Sequence, residues 1–118
     1  MPRFGTLKNQ DSTGRVLNFA KIAPAYASSI AVVPNASKTY VLPANLTGAL
    51  TLTADITLSQ DCDELVCVFT ALTSDRIVTF STGFGTAGTL TVKAGKSASA
   101  TFVFNGYSFV ESGRAIEA

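Results

Sequence analysis

The feature that most constrains the fold of this chain is a series of short runs in which apolar and polar residues alternate. The clearest run is SASATFVF at residues 97–104, where Ala or Phe occupies every second position. A period of two places alternate side chains on opposite faces of a β-strand. Similar runs recur about every ten residues from residue 37 onwards, without the sustained period of an α-helix. The pattern therefore predicts an all-β fold.

Turn-forming residues separate these runs, which is typical of strands joined by short connections. The dipeptide Asn105-Gly106 joins two of the runs, and a two-residue connection of this kind predicts a type I′ hairpin. About eight short strands joined in this way predict an antiparallel sandwich or jelly-roll-like body, with a small barrel as a further alternative. The other turn clusters lie at residues 45–48, 60–63, 73–75, 83–88 and 94–96.

The first 36 residues differ from the rest of the chain in charge and in pattern. They carry four basic residues against one acid, whereas residues 37–118 carry five basic residues against seven acids. Glycines and prolines interrupt this segment, yet it is too apolar for a solvated tail. We therefore predict an extended N-terminal arm at 1–36, which docks on a partner, and a β body at 37–118. The alternative is that the arm packs as a strand on its own body.

The arm residues that we expect to contact the partner share basic or large apolar side chains. They are Arg3, Phe4, Lys8, Arg15, Leu17, Phe19 and Lys21. A basic segment favours an anionic surface, either a nucleic acid or an acidic face of a protein. Because four dispersed charges are few for a nucleic-acid arm, we expect a protein partner and no nucleic acid.

The composition argues against an enzyme. The chain has no histidine, which removes the usual general base near neutral pH and the Ser-His and Cys-His nucleophile pairs. Asp61, Asp63 and Glu64 form an acidic cluster, but the ligand series of a calcium loop is missing. The cluster is interpreted as a solvated turn, or as the receiver of a neighbour's basic arm. We predict no catalytic residues, no metal and no cofactor.

The two cysteines, Cys62 and Cys67, do not suggest a disulfide framework, because an offset of five places them on opposite faces of a strand. We expect Cys67 in the core and Cys62 in a turn, in a protein made in a reducing cytoplasm. The sequence starts without a secretory signal and contains no apolar run of about 20 residues. We therefore expect no membrane partner.

Two loops offer possible contact residues, Asp75 and Phe84. The segment 83–88 superficially resembles a phosphate loop, but no helix and no Gly-Lys-Ser/Thr follow it. Phe84, between two glycines, either fills a neighbour's pocket or folds back on the core. The three tyrosines, without any tryptophan, do not predict a sugar-stacking platform.

The stretches RIVTFSTGFG from Arg76, GTLTVKAGK from Gly88 and ATFVFNGYSFVE from Ala100 carry a resemblance. They resemble modules of tailed-bacteriophage head-decoration, head-fibre and tail-fibre proteins, over residues 37–112. The resemblance is a pattern of apolar runs and turns and brings no active site with it. It implies a β-rich virion protein, often trimeric, that docks on other virion proteins.

Together, these features predict a non-enzymatic structural protein of the virion, made in the host cytoplasm. We expect a capsid decoration or minor capsid protein that forms a homotrimer and docks on the major capsid protein, or another virion protein, through the arm. The alternative is a receptor- or glycan-binding module of a tail fibre, with its contacts in the loops at 73–75 and 83–88.

Overall fold

The computed structural model describes residues 16–85 and 88–118, without the side chains of residues 16–18. In this part of the chain all regular structure is β, and nine strands form two mixed sheets around one core. The all-β prediction is confirmed. The strands are β1 (Val16–Ile22), β2 (Ser29–Val32), β3 (Ala36–Val41), β4 (Leu50–Ala54), β5 (Glu64–Thr70), β6 (Arg76–Phe80), β7 (Thr89–Val92), β8 (Ser97–Phe104) and β9 (Phe109–Ile116).

The first six strands form a parallel coil in which the chain passes from one sheet to the other at every turn. β1, β3 and β5 lie side by side and parallel in the five-stranded sheet, whose order is β1-β3-β5-β8-β9. β2, β4 and β6 do the same in the four-stranded sheet, whose order is β2-β4-β6-β7. Within the coil, each strand therefore pairs with the strand two places away along the chain.

The prediction of an antiparallel body is wrong for this coil. Strands separated by short turns indicated hairpins, but each turn here crosses the gap between the sheets instead of reversing within one sheet. Parallel neighbours need a connection of a dozen or more residues, and the crossing supplies it. Residues 23–35 connect β1 to β3 and contain β2 on the way. The two facing sheets retain the general form of a sandwich.

Prolines stand where the chain leaves one sheet for the other: Pro24 after β1, Pro34 after β2 and Pro43 after β3. Proline has no N–H group for a strand ladder, which makes it suitable for these corners. The stacking nevertheless continues into the corners, because the Ala44 N–H donates to the Pro24 carbonyl at 2.9 Å. Prolines that break the pattern of a single strand thus help to define the coil.

The last three strands, β7–β9, pair antiparallel and form a closing unit at one edge of the coil. β8 and β9 form the predicted hairpin, but its connection spans residues 105–108 and is not a type I′ turn. A type I′ turn needs positive φ at both central residues, and here Gly106 (φ 98°) has it while Asn105 does not. Instead, the Asn105 side-chain oxygen accepts hydrogen bonds from the N–H groups of Tyr107 and Ser108, each at 2.9 Å.

The core lies between the sheets and changes in character along the molecule. Aliphatic residues of the coil, among them Leu52 and Leu65, are fully buried. Near the β8–β9 hairpin the core is aromatic: the ring of Phe102 lies 5.0 Å from that of Phe80 and 4.8 Å from that of Phe84, between centroids. The hairpin thereby closes the end of the sandwich with phenylalanine rings.

Residues 56–58 follow β4 without extending it, because the Asp55 carboxylate accepts hydrogen bonds from the N–H and hydroxyl of Thr57 and holds a turn there. The placement of the cysteines is confirmed: Cys67 is buried on β5, and Cys62 is exposed in the turn before it with a positive φ of 70°.

Candidate functional site

The residues assigned to the docking arm fall into two groups. Arg3, Phe4, Lys8 and Arg15 lie outside the described residues. Leu17, Phe19 and Lys21 lie on β1, which pairs in parallel with β3 and is the edge strand of the five-stranded sheet among the described residues. Residues 16–36 therefore contain two strands of the body, as the alternative reading of the arm expected. The docking role itself stays a prediction.

On β1 and its neighbours, an aromatic and charged cluster lies on the outer face of the five-stranded sheet. Phe19 is 64% exposed, and its ring meets the Tyr40 ring edge-on at 5.6 Å between centroids. The Lys38 ammonium lies 5.9 Å from both ring centroids and 3.3 Å from the Glu64 carboxylate. The hydrogen bond and charge of Glu64 raise the pKa of Lys38. A cation held against two rings stabilises an otherwise exposed aromatic pair.

The same face continues as a largely apolar surface across the middle of the sheet. The strand β5 alternates Leu65, Cys67 and Phe69, which are buried, with half-buried valines on the outer side. The sequence of β5 is apolar on both faces, typical of a strand covered on both sides, yet within one chain only the inner face is covered. We call this surface the outer patch: Tyr40, Val66, Val68, Val103 and Val110.

A shallow depression of about 370 Å³ adjoins the outer patch where β5, β8 and β9 carry small side chains. Val68, Ser99 and Ala115 lie across its floor, and Glu117 stands at its margin. The Glu117 carboxylate accepts a hydrogen bond from the Ser97 N–H at 2.6 Å. Because small side chains lie beside larger valines, the surface is concave here, and a protruding side chain of another protein fits into it.

The two possible loop contacts, Asp75 and Phe84, lie at opposite ends of β6, a strand of five residues, or roughly 16 Å. Asp75 is exposed, accepts a hydrogen bond from the Ala94 N–H at 2.9 Å and lies 3.6 Å from the Lys93 ammonium. The backbone hydrogen bond, followed by the Lys93 charge, lowers the pKa of Asp75. Phe84 is buried in the aromatic core, so it folds back on its own body. The two loops therefore do not share one contact surface.

A groove of about 570 Å³ lies at the end of the sandwich that carries the β8–β9 hairpin. This end groove is lined by Ala31, the end of β4 and its turn at 53–56, Thr82-Gly83, and Tyr107-Ser108. Its volume is within the range of sites that hold a ligand. Tyr107 is 84% exposed, the highest exposure among the exposed large hydrophobic side chains of the described residues. Reasoning from the sequence missed this groove, because its walls come from four separate parts of the chain: β2, the end of β4 with its turn, the loop after β6 and the β8–β9 hairpin.

The ionisable groups of the described residues suggest no reactive arrangement. Burial raises the pKa of the Cys67 thiol far above its usual range, which keeps it protonated and inert. Hydrogen bonds from Thr57 lower the pKa of Asp55. Within residues 16–85 and 88–118, no three His, Cys, Asp or Glu side chains gather as a metal site. The described residues also contain no helix with the length and apolarity that crossing a bilayer takes.

No protein-family profile matches this chain, and a search of curated proteins finds no match. The resemblance to tailed-phage virion proteins therefore stays a prediction. The features that the structure itself provides for a function are surfaces: the outer patch with its depression, the exposed side of β1, and the end groove.

Proposed function

We infer that this chain is a non-enzymatic structural protein of a virion, a capsid decoration or minor capsid protein. In this proposal it self-associates, as a homotrimer, through the outer patch, and it docks on the shell through its N-terminal arm. The shell partner is the major capsid protein or another virion protein.

The observation that carries the proposal is the uncovered second face of β5. Its outer valines, Val66 and Val68, sit in the middle of a sheet with apolar or hydroxyl-bearing neighbours, and Phe19 is largely exposed at the edge. Contiguous apolar surface of this kind marks a site of protein association. The Lys38–Glu64 ion pair lies on the same face, between Phe19 and Val103 in the strand register. Polar pairs beside an apolar centre are usual in protein interfaces.

The exposed side of β1 supports the docking half of the proposal. Phe19 and Lys21 both point to the outer side of the edge strand and are exposed. Together with the basic residues that precede β1 in the sequence, they form a segment of mixed cationic and aromatic character. Such a segment suits an acidic protein surface, because arginine and lysine pair with carboxylates while the aromatic ring fills a pocket.

Self-association is tested with Val66→Lys, which places a charge at the centre of the outer patch. We expect the wild-type chain to sediment with three times its 12.3 kDa mass, and Val66→Lys to sediment as a monomer, because burying an unpaired ammonium is costly. Thr79→Lys is the matched control, since Thr79 holds a central outward position on the four-stranded sheet. A monomeric wild-type chain, or a trimeric Val66→Lys, contradicts the proposed interface.

Docking is tested in the particles of the phage that encodes the chain. Mass spectrometry of purified particles should detect the wild-type chain in many copies. The double variant Phe19→Ser/Lys21→Glu should be depleted from them at equal cellular expression, while Thr79→Lys, a change on the outer face of the four-stranded sheet, should not be. Absence of the wild-type chain from the particles would refute the virion assignment.

A further inference from the structure

The end groove combines an apolar floor with one negative charge and one exposed aromatic ring. Ala31, Ala54 and Ile56 contribute apolar surface, and Thr53, Thr82 and Ser108 contribute hydroxyl groups. Among the described residues that line the groove, Asp55 is the charged one. A long, open groove of about 570 Å³ suits an extended peptide better than a compact ligand.

Tyr107 is held in place by its backbone while its ring stays in solvent. Its N–H donates to the Asn105 side chain at 2.9 Å, and the Asn105 N–H donates to the Ser108 carbonyl at 3.1 Å, so the turn is fixed from both sides. The ring is nevertheless 84% exposed. A large aromatic side chain on a rigid turn loses little conformational entropy on binding, which is typical of anchors in protein recognition.

Asp55 is likewise oriented and charged. One carboxylate oxygen, Oδ1, accepts the N–H of Thr57 at 3.0 Å and also its hydroxyl. The second oxygen makes no hydrogen bond within the described residues, and Asp55 lines the groove. An oriented carboxylate beside an exposed ring is the combination that binds a guanidinium or an ammonium group, through a charge-assisted hydrogen bond and a cation–π contact.

A segment of this chain has the complementary chemistry. Residues 1–15 carry Arg3, Lys8 and Arg15 against the single acid Asp11, and they also contain Phe4 and Leu7. Apolar residues between cations match an apolar floor beside a carboxylate. The turn that follows Asp55 adds the exposed Asp61, whose carboxylate lies close to Gly106, and residues 55–63 carry no lysine or arginine.

We propose that the end groove is a receptor for residues 1–15 of a second copy of this chain. The inference rests on the self-association proposed above, and it divides the contacts between subunits over two surfaces. The outer patch joins the bodies, and the leading segment of each copy reaches into the end groove of a neighbour. Phe19 and Lys21 on β1 then remain for the contact with the shell.

The proposal is tested by exchanging charges between the two sides in the full-length chain. The arm variant is Arg3→Glu/Lys8→Glu/Arg15→Glu, and the groove variant is Asp55→Lys. We expect each variant alone to associate roughly tenfold more weakly than wild type, since each loses a charge-assisted and cation–π contact. An equimolar mixture of the two should recover part of the association in sedimentation velocity, because in a mixed trimer two of the three arm–groove contacts join opposite charges.

Two controls keep the result specific. Asp75→Lys changes an equally exposed aspartate at the other end of β6 and should leave association unchanged. Circular dichroism of the groove variant checks that the turn at Asp55 still folds, and Asp55→Asn, which keeps the acceptor for Thr57, repeats the loss of charge without disturbing the turn. A mixture no stronger than either variant alone would overturn the proposal.

A disulfide cross-link distinguishes an arm bound in the groove of a neighbouring copy from an arm bound in the groove of its own chain. In a Cys62→Ser background, Lys8→Cys combined with Tyr107→Cys should give covalent oligomers on oxidation. A disulfide formed within monomers only would refute the exchange between copies. If the wild-type chain is monomeric, the proposed function fails together with this inference. If wild type is trimeric and Val66→Lys is monomeric while both charge variants behave as wild type, only the assignment of the groove fails.

Discussion

The parallel coil β1–β6 and the closing unit β7–β9 build one core by different means. In the coil, each strand pairs with a strand from a distant part of the chain, and the core residues are mainly aliphatic, with Phe69 and Phe80 as its buried rings. In the closing unit, β8 and β9 are neighbours in sequence, and large aromatic rings fill the end of the sandwich. Contacts between distant parts of a chain require larger loops to close than local hairpins do. The coil therefore depends on the closing unit to cover its edge and its end.

The variant with the largest expected effect on this dependence is Phe102→Ala. Phe102 is fully buried on β8, and its ring contacts those of Phe80 on β6 and Phe84 in the following loop. We expect the free energy of unfolding to fall by about 3–5 kcal/mol, because a large cavity replaces the ring. Urea unfolding followed by circular dichroism measures the change. The matched coil variant, Val32→Ala, should cost less, and an equal or larger loss there would contradict the comparison.

Next in size is Gly83→Ala, at the junction of the coil and the closing unit. Gly83 has φ 91°, and a Cβ atom placed on it would lie 2.0 Å from the Ala54 carbonyl oxygen. Its own carbonyl accepts the Phe109 N–H at 2.9 Å. Since the backbone of Ala54 is part of β4, the clash cannot be relieved cheaply, and we expect a loss of about 3 kcal/mol.

Gly88 supplies the control for Gly83 because its φ is also positive, at 68°, while the space around it is open. Gly88→Ala should cost only the conformational penalty, about 1 kcal/mol. Equal losses in the two variants, measured by thermal unfolding, would show that the junction is less tightly packed than these distances imply.

The two regions also differ in how much of them the sequence predicted. The alternation in β8 and the turn residues after it predicted the hairpin, since partner and turn are adjacent in the chain. In the coil, β3–β6 were predicted as strands but paired wrongly, because the alternation identifies a buried face and is silent about which strand lies beside it. β1 and β2 lie in the segment predicted as an arm. β9 extends to Ile116 although residues 111–116 do not alternate, because pairing with β8 holds it.

The candidate site divides in the same way. The apolar outer side of β5 was visible in the sequence as a strand with two apolar faces. The end groove was not, because it arises from four separate parts of the chain that only the fold brings together. The sequence left open whether Phe84 fills a neighbour's pocket or folds back on the core. Its burial results from the packing of β6 against β8, and no local sequence pattern encodes that packing.

The third prediction concerns a polar group inside the coil. Thr39 on β3 is fully buried, and its hydroxyl has no hydrogen-bond partner among the described residues. Thr39→Val removes this unsatisfied group while keeping the branched shape, so we expect the free energy of unfolding to rise by about 1 kcal/mol. Thr79→Val, on the outer face of β6, is the control and should change it by less than about 0.5 kcal/mol. Destabilisation by Thr39→Val would mean that the hydroxyl does have a partner.

The smallest expected effect belongs to the polar links of the closing unit. The Arg114 guanidinium pairs with Glu111 on β9 and also donates to the Thr89 carbonyl of β7 at 2.9 Å, so it joins the two sheets at that edge. The hydrogen bond from Arg114 lowers the pKa of Glu111. A carboxyl whose pKa is lower in the folded state stabilises that state above its unfolded pKa, near 4.5, and the contribution disappears as the pH falls through the folded value.

Wild type should therefore lose about 0.5–1 kcal/mol more than Glu111→Gln when thermal unfolding is compared between pH 6 and pH 2.5. Identical pH profiles for wild type and Glu111→Gln would show that the pair does not stabilise this edge. The aromatic rings would then close the coil without electrostatic help, and the difference between the two regions would be one of packing alone.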